Sequence, residues 1–362
     1  MKTLFVGDVC PKSEEVQALF RAKDVEALFS DTVSLFEGND INFVNLECAL
    51  TESTNAIEKF GPNLKAPAET AEVLKSIGVT VCGISNNHIF DYGIEGYRDT
   101  VKAFEKAGMD STGFGDNYED SRKDYVVEKD GETVCIIAVC EHEYTYALDD
   151  RMGSRPYDCY DTIADVRAAK AKYDRVIVIY HGGKEHCAYP SPRLVKLYRA
   201  LADNGADMVL GQHSHCICSY EEYNGAHLFY GQGNFHFVWP NMTEAWNSCL
   251  AVKYDTKTNA IEFIPVVTGE KGISLAKGEE KAEILARFEK LCKAKKDGSW
   301  LQGWRDFAAK VKEPYTNVIA KAYTDAEDSD LYTRVFGHYL DCEAHTDIWR
   351  ELNKTANYTN EK

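Results

Sequence analysis

Short apolar runs alternate with amphipathic helical patterns over the first 211 residues, and this alternation restricts what the chain can fold into. The runs are about four to eight residues long and rich in Val, Ile and Leu, which is typical of strands buried on both faces. They read KTLFVGD, INFVNLE, GVTVCGIS, RVIVIYH and ADMVLGQH. Helices are predicted between them at 13–36, 68–77, 94–107, 161–172 and 192–204. Such alternation favours a layered α/β architecture.

Three hairpin signals interrupt the alternation. Asp130-Gly131 lies at the centre of DYVVEKDGETVCIIAV, and Asn224-Gly225 lies within CSYEEYNGAHLFYG. Asp-Gly and Asn-Gly favour the tight turns that join antiparallel strands. The segment CLAVKYDTKTNAIEFIPVV has the pattern of a third hairpin. We therefore expect a mixed sheet, or two sheets packed as a sandwich and covered by helices.

The pattern becomes helical after about residue 270, which predicts a core domain at 1–268 and a helical C-terminal extension at 269–362. Ile284, Leu285, Phe288 and Leu291 recur at helical spacing, which indicates a packing face. The sequence leaves three roles open for the extension: covering the functional site, forming a dimer, or shielding an exposed sheet face.

Charge restricts the partners. Lys and Arg number 41 against 58 Asp and Glu, a net charge of -17. Because binding along a nucleic-acid backbone depends on clustered Lys and Arg, a nucleic-acid partner is not expected. Anionic lipid would be repelled for the same reason.

Several features favour a cytoplasmic location. No apolar run approaches the roughly 20 residues that span a bilayer, and the first ten residues, MKTLFVGDVC, lack the pattern of a secretory leader. A leader removed from the mature chain stays open. The 12 cysteines are scattered through apolar segments, where they are expected as free thiols in a reducing compartment.

Polar side chains follow the predicted strands where those strands end. They are Asp8, Asn45, Glu47, Asn87, His88, His181, His213 and His215. Burying so many such groups without partners costs several kcal/mol, and a metal site would supply the partners. Mixed imidazole and carboxylate ligands indicate two divalent ions of Mn, Fe or Zn that share a carboxylate. Two such ions clamp phosphoryl displacements, so the pattern predicts phosphoester hydrolysis by a metal-activated water.

Six ordered motifs resemble those of the bacterial poly-γ-glutamate capsule synthesis family (CapA), which is similar to calcineurin-like metallophosphoesterases. The motifs are GDV at 7–9, NLECALT at 45–51, SNNHIFDYGIEG at 85–96, YHGGKEH at 180–186, GADMVLGQHSH at 205–215 and YGQGNF at 230–235. The resemblance covers about residues 3–240. It implies a four-layered α/β/β/α sandwich with a dinuclear metal site.

The resemblance also implies how the ligands divide between two ions. Asp8 and His215 would hold one ion, Glu47 would bridge, and Asn87, His181 and His213 would hold the other. Cys10 stands where related phosphoesterases have a His, so it is either a thiolate ligand or a buried thiol.

Further residues of the motifs receive roles beside the ions. His88 would act as general acid or electrostatic stabiliser in its imidazolium form. Asp91 would orient the loop of His88 or form only an Asx turn. Glu185 is a candidate ligand, base or partner of a His, or else a solvated carboxylate. The predicted substrate contacts are Asn45, Asn86, His186 and Asn234.

Three functions stay open at this point. The first is hydrolysis of a small phosphoester, and the second is a capsule-synthesis accessory role in which polymer or metal is bound without turnover. The third is hydrolysis of γ-glutamyl amide bonds, for which a metal-activated water serves equally well. The expected partner is thus a small phosphoester or poly-γ-glutamate.

Overall fold

The computed structural model describes residues 1–239, 242–324 and 327–354. The strands are β1 Lys2–Val9, β2 Ile41–Leu46, β3 Ala49–Leu50, β4 Lys65–Ala66, β5 Val81–Gly83, β6 Asp110–Thr112, β7 Phe114–Gly115, β8 Tyr125–Lys129, β9 Glu132–Cys140, β10 Gly153–Ser154, β11 Arg175–His181, β12 Met208–Gln212, β13 Tyr220–Tyr223, β14 Ala226–Phe229, β15 Asn234–His236, β16 Ser248–Asp255, β17 Ala260–Thr268 and β18 Ile273–Leu275.

The helices follow the same chain order. They are α1 Glu14–Ala22, α2 Val25–Phe29, α3 Glu69–Ser76, α4 Gly93–Ala107, α5 Tyr118–Ser121, α6 Asp161–Lys170, α7 Pro192–Asp203, α8 Gly278–Asp297, α9 Trp300–Lys310, α10 Lys312–Ala322, α11 Ser329–Asp341 and α12 Glu343–Leu352. Two 3-10 helices lie at Ser30–Phe36 and Glu143–Thr145.

The strands form two large mixed sheets. The first has the order β18-β17-β16-β1-β2-β5-β6, with β15 also paired to β1, and the second has the order β13-β14-β12-β11-β9-β8. Within the first sheet β1, β2, β5 and β6 are parallel, and within the second β9, β11, β12 and β14 are parallel. Parallel strands end at the same edge of a sheet, so the polar residues that follow them are brought together.

The two sheets pack face to face, and helices cover their outer faces. Phe5 and Phe43 of the first sheet share a buried layer with Ile177 and Phe229 of the second. Helices α1 to α4 cover the other face of the first sheet, and α6 and α7 cover that of the second. The predicted α/β/β/α sandwich with a helical C-terminal appendage is confirmed.

The predicted strands and hairpins are all present, but the helix predicted at 13–36 is wrong as a single element. Lys23 adopts a left-handed φ of 55°, which ends α1. Asp24 then accepts a hydrogen bond from the Ala27 N–H and starts α2. A 3-10 helix completes the segment.

The C-terminal extension is bound to the sandwich at several points. Strand β18 pairs with β17, so the first sheet continues past the boundary predicted at residue 268. Phe288 of α8 packs its ring 4.8 Å from that of Phe263 and 5.6 Å from that of Phe229. Helices α9 to α12 bury a cluster of their own that includes Trp304, Tyr315 and Ile348. Within the described ranges, no helix has both the length and the apolar character needed to cross a bilayer.

Candidate functional site

The polar residues predicted at the strand ends converge at one edge of the sandwich. Asp8, Glu47, His181, His213 and His215 are all buried there. Gly7 makes the convergence possible, because a Cβ at this position would lie 1.8 Å from the carbonyl oxygen of Gly233. Only glycine allows β15 to approach β1 so closely. The glycine of the GDV motif thus positions the aspartate that follows it.

Glu47 lies at the centre of the cluster. Both of its carboxylate oxygens are buried and have no hydrogen-bond partner among the described residues. Its Oε1 lies 3.4 Å from His181 Nε2, 3.9 Å from His213 Nδ1 and 3.8 Å from His215 Nε2. A buried carboxylate without hydrogen bonds is costly, and a cation between it and these imidazoles would remove that cost.

Glu185, His213 and His215 form one group of side chains that could hold a metal ion. Two further such groups overlap at the centre of the cluster and are termed the ligand groups. Asp8, Glu47 and His215 form one, and Glu47, His181 and His213 form the other, with ligand atoms within 4.8 Å of one another in each. The groups share Glu47, as the resemblance implies for a bridging carboxylate. Asn87 adds an amide oxygen to the second group, since its Oδ1 lies 2.8 Å from His181 Nε2. This donor set of carboxylate, imidazole and amide oxygen fits Mn, Fe or Zn.

Burial disfavours the charged form of each of these groups, and for Glu47 a bound cation would offset that cost. Burial raises the pKa of Glu47 well above its ordinary value, and the nearby carboxylates of Asp8 and Glu185 raise it further. Burial and the surrounding imidazoles hold the pKa values of His181 and His213 well below theirs. The two imidazoles are therefore neutral near pH 7, the state in which they can bind an ion.

The backbone at the histidine pair is strained. His213 has a φ of 80° and His215 a φ of 51°, both in the left-handed region. A non-glycine residue in this region costs about 1–3 kcal/mol and persists where the surrounding structure requires it. The strain turns both rings toward Glu47 and is consistent with a functional constraint.

Asn45 and Asn234 were predicted to contact substrate, but their amides are occupied by the protein. Asn45 Nδ2 donates to Asp8 Oδ1 at 2.8 Å and lies 3.1 Å from His181 Nδ1. His215 Nδ1 donates to Asn234 Oδ1 at 2.8 Å, which leaves its Nε2 free. Both asparagines are buried, and their hydrogen bonds hold Asp8, His181 and His215, which are candidate ligands.

Asn86 has a similar structural role. Its Oδ1 accepts hydrogen bonds from the backbone N–H groups of His88 and Ile89, and its Nδ2 donates to the carbonyl oxygen of Leu46. Asn86 is fully buried, so it holds the loop rather than a substrate. His186 alone of the four predicted substrate contacts is exposed, beside the rings of His215 and Trp246.

His88 belongs to a buried network with Asp91 and Lys59. His88 Nδ1 donates to Asp91 Oδ2 at 2.7 Å, and Lys59 Nζ lies 2.6 Å from Asp91 Oδ1. Burial and the Lys59 ammonium lower the pKa of His88, against the opposing effect of Asp91. The imidazolium predicted at neutral pH is therefore disfavoured when the site holds neither metal nor substrate. Lys59 was missed because it lies in an irregular segment with no motif.

Cys10 lies apart from the ligand groups. Its side chain is buried in the apolar layer under α1, and it belongs to none of the ligand groups among the described residues. Burial and the adjacent thiol of Cys48 raise the pKa of Cys10 well above its ordinary value. Its alternative as a buried thiol is the one that fits the structure. All 12 cysteines are free thiols.

Glu185 lies at the mouth of the cluster and is 38% exposed. Its Oε1 is 3.9 Å from His213 Nε2 and 4.0 Å from His215 Nε2. Burial opposes its charge, but Lys184 and the nearby histidines lower the pKa of Glu185 to about 2. It is therefore a carboxylate at neutral pH, within reach of either ligand group.

His142 is a site residue that the sequence analysis did not name. It follows β9, and its ring centroid lies 4.3 Å from that of His213. Glu141 precedes it and accepts a hydrogen bond from the Gly183 N–H at 2.6 Å. The signal was available, since Glu141 and His142 follow the predicted strand of TVCIIAVC as the other site residues follow theirs.

A cavity of about 330 Å³ opens onto the cluster. Its lining residues are Lys59, Phe60, Gly61, Pro62, Asn87, His88, His142, Tyr144, Lys184, Glu185, His213, His338, Tyr339 and His345. The last three belong to the C-terminal extension, which therefore forms part of the wall. Asp347 of α12 fixes the extension there, accepting from Ser191 at 2.6 Å and from Arg193 at 2.8 Å.

Comparisons with known proteins agree with the motifs. A family model described as "Bacterial capsule synthesis protein PGA_cap" matches residues 2–238. The chain is 31% identical to the PGA biosynthesis protein CapA of Bacillus subtilis (strain 168) over 259 residues, 70% of this chain and 67% of that protein. It is 30% identical to the capsule biosynthesis protein CapA of Bacillus anthracis over 271 residues, 72% of this chain and 65% of that protein. It thus spans about two thirds of the length of both relatives.

A solved structure aligns over a similar share of the chain. It is a hypothetical protein from Thermus thermophilus, which covers 76% of this chain and 100% of its own at 16% identity and a TM-score of 0.42. The family model covers more than half of this chain and includes every strand-end residue from Asp8 to Asn234, while α8 to α12 lie beyond it. The chain belongs to the bacterial capsule synthesis protein PGA_cap family.

Proposed function

We propose that this chain is a metal-dependent hydrolase of phosphoester bonds in small anionic substrates. One observation carries the proposal: Glu47 presents two buried carboxylate oxygens without hydrogen bonds, with three imidazole nitrogens 3.4–3.9 Å from its Oε1. Asp8 and His215 would hold one divalent ion with Glu47, and Asn87, His181 and His213 would hold the other. When bound, such ions lower the pKa of water and neutralise charge on a phosphoryl group.

His88 would handle the proton beside the ions. Because Asp91 fixes its Nδ1–H, the acceptor nitrogen Nε2 is the atom left for a reacting group. The charge of a phosphate ester in the cavity would raise the pKa of His88, since a nearby anion favours the imidazolium form. A proton held at Nε2 in this way is available to the leaving oxygen.

The cavity wall favours a small anion. Lys59 and Lys184 contribute two ammonium groups, and the carboxylate of Glu185 is the acidic side chain in the described lining. Ammonium groups are the chemistry that would attract a small anion in a chain of net charge -17. A volume of about 330 Å³ accommodates a small molecule or the end of a polymer.

A second candidate is hydrolysis of γ-glutamyl amide bonds. It is favoured by the relatives, whose names refer to PGA and capsule biosynthesis, and by Lys184, whose ammonium would pair with a glutamate carboxylate. The same ligand groups would serve, because water activated by divalent ions also cleaves amides. An accessory role without turnover would need only the cavity and its charges.

A substrate panel separates the three. The full chain, loaded with Mn, Fe or Zn, would be assayed on a chromogenic phosphodiester and on γ-linked glutamate oligomers, beside His88→Ala and Glu47→Ala. Phosphodiester turnover lost in both variants and kept in Lys102→Met, an exposed control, is the expected result. Glutamate release alone would support the second candidate, and oligomer binding without turnover would support the accessory role.

A further inference from the structure

The C-terminal extension carries a second group of metal-ligating side chains, apart from the strand-end cluster. His338 lies on α11, Cys342 joins α11 to α12, and His345 lies on α12. Their ligand atoms lie within 4.8 Å of one another, and all three residues are buried. The group lies outside residues 2–238, so the family match does not account for it.

The junction between the two helices holds the three residues together. Cys342 has an extended backbone, with φ -92° and ψ 120°, and is the N-cap residue of α12. Its N–H still donates to the carbonyl oxygen of His338 at 3.0 Å, and its own carbonyl accepts from the His345 N–H at 3.1 Å. These two bonds link the three backbones through one short turn.

Each imidazole has a partner at Nδ1. His338 Nδ1 lies 2.8 Å from Glu143 Oε1, and His345 Nδ1 lies 2.6 Å from the hydroxyl of Tyr315. When Nδ1 donates to these oxygens, Nε2 of both rings is left with a free lone pair. A carboxylate or hydroxyl on the far nitrogen is the usual support of a histidine that binds a metal.

We propose that His338, Cys342 and His345 bind a divalent transition-metal ion in the wall of the cavity. One thiolate and two imidazoles are donors that zinc and copper both take, and a three-residue set leaves a fourth position open. His338 and His345 line the cavity, so that position is open to whatever the cavity holds. On binding, the ion replaces the thiol proton of Cys342, which passes to solvent.

Such an ion would give the extension a chemical role. His142 connects the two groups, with ring centroids 4.3 Å from His213 and 6.0 Å from His338. An ion on the extension would add positive charge to the part of the cavity wall that the extension forms. Because its own three side chains hold it, its presence does not depend on hydrolase activity.

Cobalt substitution tests the proposal through the thiolate. The full chain, stripped with a chelator, would be titrated with Co²⁺ and monitored for thiolate-to-cobalt charge transfer in the near ultraviolet. Wild type should show the band and Cys342→Ser should lose it, with zinc content lower by about one equivalent. His213→Ala should keep the band, because His213 is not among the three side chains that would hold this ion.

Two further cysteines serve as controls. Cys159 is exposed, Cys10 is buried and neither belongs to the group of Cys342, so Cys159→Ser and Cys10→Ser should both keep the band. Absence of the band in wild type, or its survival in Cys342→Ser, would overturn the proposal.

His345→Gln, which leaves every thiol in place, should weaken cobalt binding at least tenfold while the far-ultraviolet circular dichroism stays unchanged. Unaltered binding in that variant would also refute the assignment.

Discussion

Replacement of Lys59 by Met should destabilise the metal-free protein strongly. The Lys59 ammonium lies 2.6 Å from Asp91 Oδ1, with side chains 2% and 0% exposed. Asp91 also accepts hydrogen bonds from His88 and from the Leu64 N–H. Lys59→Met would leave this buried carboxylate without its cation, while its hydrogen-bond donors remain in place.

The magnitude follows from burial of the pair. Removing one partner of a buried ion pair costs about 3–5 kcal/mol, because the charge that remains has lost its solvent and its counterion. With an unfolding entropy of about 2.1 cal/mol/K per residue over 362 residues, that loss corresponds to a fall in Tm of about 4–7 °C. Protonation of His88 would recover part of it, so the larger fall is expected at pH 8.

The assay is thermal unfolding, followed by circular dichroism in the presence of a chelator. It compares Lys59→Met, Asp91→Asn and the double variant Lys59→Met/Asp91→Asn. The double variant should be at least about 2 kcal/mol more stable than the sum of the single effects, because it removes both charges. Lys102→Met, whose side chain is 74% exposed, should change the free energy of unfolding by less than about 0.5 kcal/mol. A Lys59→Met variant as stable as this control would refute the reasoning, as would additive single effects.

Three other outcomes are expected. His236 is buried between Phe20 and Phe29, and burial lowers its pKa to about 4. Between pH 6.5 and 4 only the unfolded state therefore protonates this ring, which favours unfolding. Over that range the free energy of unfolding of the metal-free wild type should fall by about 3 kcal/mol relative to that of His236→Phe. Urea unfolding at stepped pH measures this loss, and parallel pH profiles would contradict it. Asn45→Ala should weaken metal binding about 10–100-fold while the fold is retained, because Asn45 supports two predicted ligands. Titration calorimetry measures this affinity, and an unchanged value would show that Asn45 does not support them. Burial raises the pKa of Glu47 well above 4.5, so a proton competes with the metal for this carboxylate above pH 4.5. Metal affinity should therefore continue to rise as the pH increases beyond 4.5, and Glu47→Gln should flatten that rise.

Local patterns in the sequence predicted the strands and the residues at their ends. Each of these strands is a short apolar run, and parallel pairing brings the ends of such runs to one edge whatever the intervening loops contain. Asp8, Glu47 and His213 could therefore be grouped without knowing the loops. His142 follows β9 in the same way and could have been grouped with them. The other site residues that stayed unpredicted lie outside this pattern, and they have tertiary rather than local causes.

Lys59 and the C-terminal extension illustrate those causes. Lys59 reaches Asp91 from a segment with no periodicity, so only the folded chain pairs the two. The extension meets the cavity through contacts such as Arg193 to Asp347, which are 154 residues apart in the chain. Its helical pattern predicted a packing face, but not the surface on which α11 and α12 lie. The lowered pKa of His88 has the same origin, because burial and Lys59 outweigh the opposing effect of Asp91.

Metal stoichiometry tests the central claim most directly. Elemental analysis would be made on protein reconstituted with Mn, Fe or Zn in a Cys342→Ser background, so that only the strand-end cluster is counted. The account predicts about two equivalents, lost on Glu47→Ala and on His213→Ala, in protein whose circular dichroism is unchanged. Protein that stays metal-free after reconstitution, or retains its ions in the Glu47→Ala variant, would contradict the dinuclear centre.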